Sequence, residues 1–296
     1  MKKFRRSELL KITEPSKEKR PDREGQNGEE RAEKQEQEQE DRGLTQACVA
    51  SQRLIRRAMN TCQPSIVGRS ALEFVNRREV GEGKNEKPFY AKHKAKTMKR
   101  YTAIWVKMLR YIWRSSSQAE ADRPSYRLTR QQEQRLERIK QLSKRWKEDR
   151  GSQAIYNQET SQETSQQRRQ QRSQNGAWQE KMEEACLGFW LAMFDHELKA
   201  GEYESGIISA LAVLGLSPEN EGWSTAMNYT PVLSAVVTIT RGLVVYRAWL
   251  THQNAIQAGV EGGIEEREAR ERALSIFEEV KEIVQRFMTL TVLGFR

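Results

Sequence analysis

Residues 185–250 read ACLGFWLAMFDHELKAGEYESGIISALAVLGLSPENEGWSTAMNYTPVLSAVVTITRGLVVYRAWL, the densest apolar stretch of the chain. Its punctuation is helical. Met182, Cys186, Phe189/Trp190, Met193/Phe194 and Leu198 recur at three- and four-residue spacing, which predicts a helix over Trp178–Leu198 that Gly201 ends. Residues 202–214 predict a second helix, with Gly215 as a left-handed C-terminal cap. Thr230-Pro231 predicts a third start, Thr as cap and Pro in the first turn where its missing N–H costs nothing. That helix is expected to run to about Gln257, and a last one over Glu265–Met288 carries Ile276/Phe277, Val280, Ile283/Val284 and Phe287 on one face.

Val232–Leu250 is long and apolar enough to raise the question of a membrane span. Arg241 sits mid-stretch, where insertion costs about 2.5–3.5 kcal/mol, and Ser234, Thr238 and Thr240 dilute it further. A helix apolar on all sides at the centre of a bundle is the expectation, with no membrane.

Upstream, Leu44–Met59 predicts a short amphipathic helix ended by Pro64 and Gly68, and Ser70–Arg78 a turn or two more. Lys96–Arg114 is strongly periodic, with Met98, Tyr101, Ile104/Trp105, Met108/Leu109 and Ile112 on one side. Thr129 with Gln132 three residues on forms a capping box for the next helix, whose apolar side is Leu136, Ile139, Leu142 and Trp146. The two are expected to pack as an antiparallel hairpin. No strand-like run occurs outside Val232–Ile239, so the fold class is all-α: an irregular helical bundle with a disordered N-terminus and a low-complexity internal linker. The segments are 1–42, mixed-charge and disordered; 43–91, short helices and a loop; 92–149, the basic hairpin; 150–177, a Gln/Ser-rich disordered linker with a tandem ETSQ repeat; and 178–296, the helical core.

Charge is unevenly placed. The chain has 296 residues and a formal net charge of +10. Residues 92–150 hold 18 basic and 6 acidic side chains, whereas 180–296 hold 10 and 17. Such asymmetry points to a polyanion partner, or to docking of the basic part on an acidic protein surface, including the chain's own C-terminal part. Lys96, Lys99, Arg100, Lys107, Arg110, Arg114, Arg130 and Arg138 are the candidate phosphate contacts, with Tyr101, Trp105, Tyr111, Trp113, Tyr126 and Trp146 as stacking platforms or, alternatively, as core.

Other chemistry is poorly supplied. Cys48, Cys62 and Cys186 fit no zinc spacing, and their odd number suits a reducing, intracellular location. Asp195-His196 are adjacent on a helix and do not face one another. The acidic group Asp195, Glu197, Glu202 and Glu204 reads as surface flanking a helix break. His93 and His252 are isolated, and nothing matches a phosphate-binding Gly-rich loop. No enzyme activity, metal or cofactor is expected.

The phrases WVKMLRYIWR (105–114), YRLTRQQ (126–132), CLGFWLAMFDHEL (186–198), YESGIISALAVLGL (203–216), NYTPVLSAVV (228–237) and IVQRFM (283–288) occur in this order. Together they resemble a region of large fungal proteins that often carry a RecQ-like helicase downstream, some with Cys/His zinc fingers upstream, at telomere-linked and mobile-element-like loci. The resemblance covers about residues 95–288. It implies a nuclear, helicase-associated helical region and no catalytic residue. The helicase motor motifs are absent, and the chain stops at TLTVLGFR where such proteins continue, as a truncated copy would. The expected function is thus a non-enzymatic helical fragment binding nucleic acid weakly and non-specifically through the basic hairpin. The alternatives are a protein-interaction or structural remnant without nucleic-acid binding, and a degenerate helicase or recombinase fragment.

Overall fold

The computed structural model describes residues 13, 28–77, 87–118, 124, 126–159, 165–195, 204–217 and 222–286. Among these every regular element is a helix; the extended contacts are isolated bridges, Arg127 with Ser205 and Leu216 with Trp223. The helices in order are α1 (Gly28–Thr61), α2 (Pro64–Val67), α3 (Arg69–Val75), α4 (Ala95–Ser117), α5 (Arg130–Glu159), α6 (Ser165–Phe194), α7 (Gly206–Leu214), α8 (Ala226–Glu261), α9 (Glu266–Arg272) and α10 (Ile276–Arg286). The all-α expectation holds.

Two helices organise the rest. α8 packs against α1, α3, α4, α9 and α10, and is buried on several sides between Ala235 and Ala248, as its unpatterned apolar sequence requires. It is also long and apolar enough to cross a membrane by length and composition, a test that a bundle's core helix passes equally. α1 lies against α4, α5, α6 and α8. One continuous core results, running from Leu44 on α1 to Ile283 on α10. Its densest part is aromatic. Trp105 of α4 meets Trp190 of α6 edge-on, with ring centroids 4.5 Å apart, and Phe189 and Phe194 extend the cluster. Both indoles find acceptors on other helices: Trp105 Nε1 donates to the Ala235 carbonyl of α8, and Trp190 Nε1 to Ser51 Oγ of α1.

α4 and α5, expected as a hairpin, meet through Lys140, which bonds Ser116 and Ser117 and lies over the Trp113 ring, but their main packing is with other helices. α5 pairs with α6, and α1 packs against both α4 and α5. The apolar side of α5, Leu136, Ile139 and Leu142, is satisfied by whichever apolar face reaches it, and sequence spacing does not specify the partner. Its capping box is present: the Thr129 N–H donates to Gln132 Oε1 (3.0 Å), and the Gln132 N–H to Thr129 Oγ1 (3.3 Å).

Segment boundaries set by composition fall inside helices. Residues 28–42, expected to be disordered, form the first turns of α1, while 1–12 and 14–27 lie outside the described residues. Glu, Lys, Gln, Arg and Ala are strong helix formers, and the Asp41–Arg114 ion pair (3.6 Å) ties this end of α1 to α4. Within the expected linker, α5 continues to Glu159 and α6 begins at Ser165 for the same reason of propensity.

Three punctuation marks are read differently by the fold. α8 starts at Ala226, capped by Thr225, whose side chain accepts from the Asn228 N–H; Pro231 lies inside the helix, and the Thr230 hydroxyl donates to the Ala226 carbonyl. Gly215 has φ −79°, not a left-handed conformation; a Cβ there would lie 3.2 Å from Trp223, Tyr229 and the Ala212 carbonyl, so close approach is what selects glycine. The last helix is two, because Ser275 and Glu278 form a capping box that opens α10 (Ser275 N–H to Glu278 Oε2, 3.1 Å; Glu278 N–H to Ser275 Oγ, 3.3 Å).

Candidate nucleic-acid interface

Between α3 and α4 the chain runs as a non-helical strap over residues 87–94. Its anchors come from the core. Arg241 of α8 donates through Nη1 to Asn76 Oδ1 (2.8 Å), and Asn76 Nδ2 donates to the Lys87 carbonyl (2.8 Å). The Phe89 N–H donates to the Leu72 carbonyl (2.9 Å). Phe89 and Ala91 are buried; by alternation Tyr90 and Lys92 face outward, and the Tyr90 ring is 68% exposed. This gives Arg241 a role: it is the half-buried arm by which the central helix holds the strap.

The strap, the C-terminal half of α1 and the first turns of α4 enclose an open cleft of about 1030 Å³. Arg56, Lys92 and Lys99 line it, with Tyr90, His93, Gln52, Asn60 and Gln63, and no carboxylate among the described residues does. Lys96, Arg100 and Lys107 share an exposed stripe of α4, spaced four and seven residues apart. His93 stands edge-on to Tyr90 (6.2 Å between centroids) and to Tyr101 (5.6 Å), and its Nε2 is buried without a hydrogen-bond partner among the described residues.

The eight candidate cations therefore divide. Lys99 lines the cleft, and Lys96, Arg100 and Lys107 are exposed on the same helix, α4. Arg110 and Arg114 turn toward α1: Arg114 pairs with Asp41, and the Arg110 charge lies near enough to Cys48 to oppose the upward push of burial on its thiol. Arg130 and Arg138 are exposed on α5, away from the cleft lining. Sequence reading missed Arg56, Lys92 and Tyr90. Arg56 is on a helix counted apart from the basic segment, and Tyr90 precedes the periodic stretch.

The expected stacking platforms on α4 are core instead. Tyr101, Trp105, Tyr111 and Trp113 are all buried, because they fall in the apolar stripe and their area is worth most out of water. Tyr126 is half-buried, with its hydroxyl 2.5 Å from Ser115 Oγ; the Trp146 side chain lies outside the described residues.

The contact between the basic segment and the C-terminal part is mainly apolar, made by α4 on α7 and α8 and by α5 on α6. An ion pair linking them, Arg127–Glu204 at 3.7 Å, is exposed at both ends and contributes little.

Among the described residues the remaining sequence candidates do not assemble into a reactive site. Burial pushes the Cys48 thiol up to about 11, and the Cys62 and Cys186 thiols to about 12, so none is a thiolate at neutral pH. Asp195 is half-buried and Glu204 exposed, while His196, Glu197 and Glu202 lie outside the described residues. His252 Nδ1 is bonded to the Leu274 carbonyl at 2.8 Å. No group of three His, Cys, Asp or Glu residues poised for a metal occurs among the described residues.

Comparison with protein-family models, curated proteins and solved structures gives no match to any of the three.

Proposed function

We propose that this chain is a non-enzymatic helical module that binds nucleic acid weakly and without sequence preference through the cleft between α1, the 87–94 strap and α4. One observation carries the reading: Arg56, Lys92 and Lys99 converge on a cleft that no described carboxylate lines, with Lys96, Arg100 and Lys107 exposed on the same helix as Lys99. Cations so placed attract phosphates and release their counterions on contact. None of the six takes part in an ion pair found in the described fold, whereas Arg57, Arg114 and Arg127 do. The cations carry the affinity, so it resides chiefly in backbone contacts, which hold no sequence information. The resemblance of residues 95–288 to helicase-associated fungal proteins fits this reading and a nuclear location, and we include it in the proposal.

Fluorescence anisotropy of a labelled oligonucleotide, titrated with the full chain at low and moderate salt, tests it. Binding that weakens steeply with salt is expected. Absence of binding at low salt would leave the protein-interaction alternative standing.

A further inference from the structure

Within that reading, we infer that the cleft takes single-stranded rather than double-stranded nucleic acid, with the Tyr90 ring as the platform on which a base stacks. The inference rests on the proposed nucleic-acid binding and adds to it the form of the ligand.

Three features of the strap point this way. Tyr90 is 68% exposed although its neighbours Phe89 and Ala91 are buried, so the backbone alternation presents the ring to the cleft side of the molecule at no cost to the core. The strap is pinned at Lys87 and at Phe89 by hydrogen bonds of 2.8 and 2.9 Å, so the ring is offered from a fixed backbone. The ring lines the same cleft as Lys92 on the strap and Arg56 on α1, so an aromatic face and cations share one concave surface. An exposed ring among cations is the arrangement that holds an unpaired strand: phosphates track the charges and a base covers the ring.

A duplex cannot use it. Its base faces are stacked on one another, and only its convex phosphate surface and groove edges are available. The cleft is concave, and Tyr90 stands in it on the strap that joins its helical walls.

The test compares a short single-stranded oligonucleotide with a duplex of the same length, using the full chain and its Tyr90→Ala and Tyr90→Phe variants, each checked for unchanged circular dichroism. The single strand is expected to bind more tightly than the duplex. Tyr90→Ala should weaken the single strand about five- to hundredfold and leave the duplex unchanged, while Tyr90→Phe keeps most of the affinity because the ring remains. Equal or tighter binding of the duplex overturns the inference while the proposed function survives. So does single-strand binding that Tyr90→Ala leaves intact, or that Tyr90→Phe loses as fully as Tyr90→Ala. Failure of both oligonucleotides to bind at low salt overturns the proposed function and this inference together.

Discussion

Gln132 Nε2 donates to the Ala192 carbonyl at 2.9 Å, while its Oε1 accepts the Thr129 N–H at 3.0 Å. One buried side chain thus joins two helices, capping the N-terminus of α5 and bonding a carbonyl in the last described turn of α6. Gln132→Leu removes both bonds, one of them made in the buried contact between α5 and α6. A loss of about 1–3 kcal/mol is expected. Urea denaturation followed by circular dichroism measures it, and Gln132→Glu should be no substitute, because a carboxylate cannot donate to the carbonyl.

Gly259 of α8 lies against Ala269 of α9, and a Cβ on Gly259 would meet the Ala269 Cβ at 2.8 Å. Replacing Gly by Ala inside a helix gains about 1 kcal/mol of propensity. Overpacking costs about 1–3 kcal/mol, and a methyl group on a helix has no rotamer by which to retreat. Gly259→Ala should therefore be net destabilising. The double variant Gly259→Ala/Ala269→Gly should recover part of the loss, giving a coupling in a double-mutant cycle that two independent sites would not show.

The three buried thiols set an alkaline limit. Their folded-state values, about 11 for Cys48 and about 12 for Cys62 and Cys186, lie above the ordinary 9.0. The folded state holds these protons more tightly than the unfolded chain does. The stability they contribute is complete below about pH 9 and is lost as pH rises toward the folded values. Denaturation midpoints should fall from about pH 9 upward. A Cys186→Ala variant should fall less steeply there, though it starts lower because of the cavity. In the native protein at neutral pH the thiols should resist a disulfide reagent until the chain unfolds.

Glu183 gives the opposite pole. Its carboxyl is buried on α6, and desolvation raises it above the ordinary carboxylate range, with Arg57 (3.3 Å) and Arg53 opposing the rise. A raised folded value means stability is greatest when the group is protonated and falls as pH climbs through the carboxylate range. Glu183→Gln should remove that slope and equal or exceed the parent in stability at neutral pH. A stability profile across the acid range that is unchanged by the substitution would show that Arg57 fully compensates the charge.

How far the sequence reaches is visible in particular residues. The capping box at Thr129 and Gln132 was legible because both partners are three residues apart and need no tertiary context. The buried stripe of α4 was legible from its period. The partner of α5 was not, because an apolar stripe specifies what it must bury and not which helix will cover it. Pro231 misled, since its cost inside α8 is one hydrogen bond, and the packing of the following apolar turns outweighs it. On α4, Lys96, Lys99, Arg100 and Lys107 were readable as an exposed face. Arg110 and Arg114 were not distinguishable from them until α1 was seen to cover that side. Tyr90 and Lys92 carried no periodic signal at all; their placement follows from the Arg241–Asn76–Lys87 chain of hydrogen bonds, which joins residues far apart in sequence.

The salt dependence of binding tests the cleft most directly. Each phosphate neutralised on a single strand contributes about −0.7 to the slope of log affinity against log salt. Removing three contacts by Arg56→Ala/Lys92→Ala/Lys99→Ala should make the slope shallower by about 2, whereas Arg130→Ala/Arg138→Ala on α5 should leave it as in the parent. A triple variant with the parent's slope would contradict the account, because the cations that line the cleft would then not be the ones that touch phosphate.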